Sequence, residues 1–183
     1  TMLEKISMKM TDLCGKNMNL TETERLTMFF GFENMNHQIF LYSVIGMSAF
    51  CLGIFGWTLL FTVVFSILRL YAGGCHLKTS AGCTFVTTLL MIGGTEIALK
   101  MDGSLLVMNI LFIVSFMLVL ILAPRRTENY PVSEREYMKL KKESAGIVIG
   151  CWVLAIISPD VFGKMIAMAV LTEAVTLIPK PHA

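Results

Sequence analysis

The clearest chemical potential lies in residues 69–83, which read Arg69-x-x-x-Gly73-Gly74-x-His76-x6-Cys83. A cysteine nucleophile needs a base to take its proton or a cation to hold its thiolate, and a histidine supplies either. Seven residues of unbroken helix would put His76 and Cys83 on one face but about 10.5 Å apart along the axis. Proton transfer needs about 3 Å. A Cys-His pair therefore requires the chain to turn between them, and Thr79, Ser80 and Gly82 make residues 79–82 the expected place. Cys83 would then begin a helix, whose partly positive N-terminus favours a thiolate and whose open amides can hold an oxyanion. Cys75 competes as nucleophile, but neighbours in sequence point apart and no helix start stands behind it. Cys75, His76 and Cys83 lack a fourth ligand and standard spacing for a metal, so neither metal nor cofactor is expected. Plain structural readings stand beside these. A cysteine at a helix start can be a small apolar residue, and an interfacial histidine can be merely solvated. Arg69 can snorkel to headgroups, pair with a carboxylate, of a side chain or of a substrate, or fix the loop. Gly73 and Gly74 can simply stop a helix, or let the backbone turn or approach a ligand closely.

The elements that must position these residues are apolar helices. The 183 residues are 55% hydrophobic and only 15% charged, well under the roughly 25% charge of soluble domains. A small soluble fold could not hide that much apolar surface, so lipid must cover it. A net charge of +2 offers no electrostatic case for a nucleic-acid partner. Five cysteines, an odd number without CxxC spacing, argue against a disulfide framework or a zinc finger. The charged first 28 residues do not read as a signal peptide.

The chain reads as a single all-α, polytopic membrane domain over 1–183, with about six transmembrane helices, some short, and amphipathic N-terminal helices. Residues 1–34 form the amphipathic segment, with Thr21 and Glu24 spaced as a capping box. Helical hairpins are expected at 35–71, 84–123 and 144–178, the 69–83 loop carrying the chemistry and a basic loop at 124–143. The run at 38–68 is long for one crossing, which needs roughly twenty residues; Gly53 and Gly56 favour two short crossings, 35–52 and 56–71, over one tilted helix. With the basic 124–143 loop in the cytoplasm, both termini and the 69–83 loop fall on the same side. Thirteen of the 15 Lys and Arg residues then lie inside, against Lys100 and Lys164 outside. Glu96 is expected to reach that outer surface beside Lys100. A transporter or peptide exporter, using Arg69, Glu96 and glycine-broken helices as a pathway, is the other functional class.

The 69–83 motif, with Ala123-Pro-Arg-Arg-Thr-Glu-Asn129-Tyr-Pro131 after an apolar helix, resembles the accessory gene regulator B family of bacterial membrane cysteine endopeptidases in peptide quorum sensing. The resemblance covers nearly the whole chain. It implies a thiol protease of the cell membrane, active in virulence regulation. Its substrate would be an AgrD-type propeptide, cut C-terminally through an acyl-enzyme thioester and closed to a thiolactone or lactone autoinducing peptide. By position it makes Cys83 the nucleophile and His76 its base, with Arg69, Gly73 and Gly74 in support. Ser80, Thr79, Glu128 and Asn129 are candidates to orient His76 or touch substrate. Tyr130 stands where members often carry a basic residue. The family relation also implies a homodimer.

Overall fold

The computed structural model describes residues 2–16, 21–74, 79–101, 104–125 and 133–178. Among the described residues there are seven helices and no strand. They are α1 (Met2–Gly15), α2 (Glu22–Cys51), α3 (Phe55–Ala72), α4 (Ser80–Lys100), α5 (Leu105–Leu122), α6 (Glu134–Ile157) and α7 (Asp160–Thr176). They fall into two compact units, residues 1–47 and 48–183.

In the first unit the expected capping box forms. The Thr21 N–H and hydroxyl donate to Glu24 Oε2 at 2.9 and 2.8 Å, and the Glu24 N–H donates to Thr21 Oγ1 at 3.4 Å. The helix it opens corrects the sequence reading. α2 runs unbroken through residues 34–36, where a surface helix was expected to give way to the first crossing. Asn34, Asn36 and His37 make that stretch polar, but without proline nothing forces the backbone out of the helix. α1 turns polar groups inward: Ser7 and Thr11 are buried while Ile6, Met8 and Leu13 are exposed. Asn36 Nδ2 donates to Ser7 Oγ at 2.9 Å, and Arg25 pairs with Asp12 at 2.6 Å. The outward apolar side of α1 suits a lipid surface better than water.

In the second unit the helix breaks at Gly53, as the glycine spacing predicts, so a single tilted helix over 38–68 does not form. Gly53 has φ +72°, and the Gly53 and Ile54 N–H groups donate back to the Phe50 and Ala49 carbonyls at 3.1 and 3.0 Å. From there α3 to α7 form a bundle with α7 at its centre, packed against α3, α4, α5 and α6. α7 is buried nearly all round, through Gly163, Met165, Ile166, Ala167, Ala169, Val170, Glu173 and Ala174. Small side chains let neighbouring backbones come close: a Cβ on Gly163 would stand 2.7 Å from the Ala155 carbonyl oxygen. α5 buries Met108, Phe112, Ser115 and Val119 on one face. It exposes Leu106, Ile110, Ile113, Met117 and Ile121 on the other. Water would penalise that outer stripe; hydrocarbon does not. By length and composition α3, α4 and α5 qualify as membrane spans. The protein is thus an all-helical polytopic membrane protein, with the expected six crossings a looser count.

Two sets of polar contacts fix which helix ends lie together. The Arg125 N–H donates to the Ala72 carbonyl at 3.0 Å. Arg125 Nη1 reaches the Leu177 and Ile178 carbonyls at 3.3 and 3.4 Å. These join the C-terminal ends of α3, α5 and α7. At the opposite end Lys164 Nζ donates to the Met101 carbonyl at 2.9 Å, tying the end of α4 to the first turn of α7. Glu96 pairs with Lys100 at 2.9 Å near that end. The expected 124–143 loop is shorter than supposed, since α6 starts at Glu134. Ser133 and Glu136 form a second capping box there, a Ser-x-x-Glu pattern legible in the sequence.

Candidate active site at the basic end of the bundle

Cys83 occupies the first turn of α4, half-buried and as a free thiol. Thr79 caps the helix with extended backbone, φ −117° and ψ 135°. Its hydroxyl accepts the Gly82 N–H at 3.3 Å and its carbonyl accepts the Cys83 N–H at 3.0 Å. The chain therefore leaves helical geometry at Thr79 itself rather than across 79–82, because Ser80, Ala81 and Gly82 already belong to α4. Gly82 is not the breaker the sequence suggests. It is needed because a Cβ there would stand 2.7 Å from Thr79 Oγ1 and disturb the cap. Ser80 is exposed at the helix start, and its carbonyl accepts the Thr84 hydroxyl at 3.1 Å. With the Gly82 and Cys83 amides engaged in the turn, an oxyanion near Cys83 would turn to the amides before them, such as that of Ala81, which has no acceptor within the helix.

The other described half of the motif closes α3. Gly73 has φ 77° and ψ −159°, a conformation open in practice to glycine alone, and its N–H donates to the Arg69 carbonyl at 2.9 Å. Gly74 is buried, and a Cβ on it would lie 2.6 Å from Arg69 Nη1 and 2.8 Å from Cζ. The helix-stop reading holds for Gly73, while the close approach at Gly74 is not to a ligand. What approaches Gly74 is the protein's own arginine. Arg69 lies 5.6 Å from the centre of the Phe65 ring and pairs with Glu173 Oε2 at 3.4 Å. Among the readings of Arg69, pairing with a side-chain carboxylate is observed. Glu173 is 0% exposed and also takes the Thr176 hydroxyl on Oε2 at 3.0 Å.

Cys75 and His76, in residues 75–78, and Glu128 and Asn129, in residues 126–132, lie outside the described residues. The Cys83–His76 separation and the orienting roles of those residues therefore lie outside the described residues. Glu173 escaped the sequence reading. Its one signal was an acidic residue among alanines in an otherwise apolar helix, a setting in which a charge normally has a named partner.

Charge is divided between the two ends. Arg69, Arg125, Arg135, Lys139, Lys141 and Lys142 belong to the end where α3 stops and α4 and α6 begin, and Lys100 and Lys164 to the other. The thiol belongs to the same end as those six basic residues, in the first turn of α4.

The sequence matches the profile of the Accessory gene regulator B family over residues 7–177. An Accessory gene regulator protein B of Staphylococcus intermedius is 27% identical over 177 residues, covering 97% of this chain and 92% of that one. One from Staphylococcus aureus (strain Newman) is 28% identical over 148 residues, 80% of this chain and 76% of that one. One from Staphylococcus epidermidis is 23% identical over 162 residues, 80% and 84% respectively. No solved structure matches the chain.

Proposed function

The chain belongs to the accessory gene regulator B family, and from that premise we propose that it is a membrane-embedded cysteine endopeptidase that cuts an AgrD-type propeptide and promotes its cyclisation. The observation that carries the reading is the placement of Cys83: a free thiol in the first turn of a capped helix, at the basic end of an apolar bundle. The Cys83 sulfur attacks the scissile carbonyl carbon, and His76 takes the thiol proton. The C–N bond breaks, the C-terminal fragment leaves as an amine that receives that proton, and the N-terminal part stays on Cys83 as a thioester. A cysteine thiol or serine hydroxyl within the bound peptide then attacks the thioester carbonyl, and Cys83 leaves and regains a proton. The product is a macrocyclic thiolactone or lactone. The thioester keeps the acyl group activated, so ring closure needs no ATP, but water must be kept from it. A site at the membrane interface suits that need. Positive charge around the site favours a cytoplasmic orientation.

The test is reconstitution in lipid with a propeptide that has an amphipathic N-terminus and an acidic tail. Mass spectrometry then follows the released tail and the trapped thioester. Wild type and Cys75→Ala are expected to give both, and Cys83→Ala neither. Full cleavage by Cys83→Ala would overturn the assignment.

A further inference from the structure

We infer that Glu173 is a positioning residue: through Arg69 it holds Gly74, and with it the start of the segment that leads to His76 and Cys83. The inference rests on the proposed reaction and adds to it a residue 104 positions away in sequence from the arginine it holds.

The contact is poorly explained as a stabilising ion pair. Burying the carboxylate costs much of what its attraction to the guanidinium, itself 24% exposed, returns, and here the geometry is loose, at 3.4 Å. Glu173 Oε1 has no hydrogen-bond partner among the described residues although the side chain is fully buried, which carries a further penalty. The pair's clear structural effect is on where the guanidinium sits. Phe65 lies beside it at 5.6 Å, the carboxylate draws it toward α7, and Gly74 packs directly on it. Thr176 helps fix the carboxylate, donating to Oε2 at 3.0 Å and to the Glu173 carbonyl at 2.9 Å. Gly74 stands two positions before His76 in the sequence, so the guanidinium acts as a seat for the chain entering the active site. α7, the most buried helix, supplies its fixed point.

The experiment measures propeptide cleavage per folded molecule in lipid for wild type, Glu173→Gln, Arg69→Gln and the double variant, with Glu173→Asp as the conservative change. A misplacement near 1 Å can lower turnover about 100-fold. Glu173→Gln is accordingly expected to lower kcat by about 10- to 100-fold with KM within about 3-fold, and Glu173→Asp to recover most of the loss. If Glu173 acts through Arg69, adding Glu173→Gln to Arg69→Gln changes kcat by less than about 2-fold. Independent losses that multiply in the double variant overturn the inference. So does an unchanged kcat for Glu173→Gln.

A second readout needs no catalysis: the rate of tryptic cleavage after Lys78 in the folded protein. It is expected to rise in Glu173→Gln and Arg69→Gln alike, and no further in the double variant. An unchanged rate overturns the inference. If wild type does not cut the propeptide at all, the proposed function fails while the tryptic comparison still decides the role of Glu173.

Discussion

At the scale of single residues, two adjacent glycines do different work. Gly73 is held by its backbone angles, Gly74 by the guanidinium against it. Gly74→Ala asks for space that Arg69 occupies, and the arginine can yield only by leaving Glu173 or Phe65. The expected outcome is a loss of cleavage of about 10- to 100-fold with the protein still folded, read as kcat in lipid beside a melting curve. Wild-type turnover in Gly74→Ala would mean the seat is not needed. The sequence was informative here to the extent that chemistry is local. Cys83 at a helix start followed from the geometry of a seven-residue spacing, and the glycine pair from a helix that had to end. The partner of Arg69 was not legible, because no local rule links α3 to α7 across 104 residues.

At the scale of elements, the caps decide where helices begin. Thr21 and Ser133 each open a helix with a glutamate three residues on, and in both the serine or threonine hydrogen bonds hold the carboxyl below its usual range near 4.5. For Glu24 the backbone hydrogen bond from Thr21 leads; for Glu136 the side-chain hydrogen bond from Ser133 does. Because these carboxyls titrate lower in the folded state, their support is complete above that ordinary range and is lost as pH falls through the depressed value. Hydrogen exchange at residues 134–137 should therefore accelerate as pH drops below about 4 relative to mid-helix amides, after correction for intrinsic rates. In Ser133→Ala it should already be about 5-fold faster at neutral pH, as expected for a lost cap. Equal protection in Ser133→Ala would show that packing alone starts α6. The first cap was expected from sequence and formed. The second has the same signature, but a run of basic residues made the segment read as loop, and charge on one face does not prevent a helix. The continuity of α2 was hidden for a similar reason, since a polar patch resembles a boundary.

At the scale of the whole molecule, the apolar composition that indicated a membrane protein acts in two ways. Outward stripes such as that of α5 meet lipid, while small residues of α7 let the bundle close. The Gly163 contact tests the second role. A methyl group there meets the Ala155 carbonyl oxygen at 2.7 Å and Met108 Sδ at 3.1 Å, and a backbone carbonyl cannot swing aside. Gly163→Ala should lower stability by about 1–3 kcal/mol, seen as a lower melting temperature in detergent. Turnover per folded molecule should be unchanged, since the position is at the far end from Cys83. An unaltered melting temperature would show that α6 and α7 can separate without loss. All-helical architecture was legible from composition and periodicity. The central place of α7 was not, because an apolar helix that faces lipid and one that faces other helices look alike in sequence.

That central place also has a temporal side. Of the described helices, α7 is the last to leave the ribosome. Until it does, α3 sits in the bilayer with Arg69 lacking the carboxylate that will meet it, and the arginine's cheapest refuge is the headgroup layer. Once α7 is in place, Glu173 supplies that carboxylate and Gly74 packs against the guanidinium. The contact that seats Gly74 is thereby coupled to completion of the bundle, since it needs a residue of the last described helix.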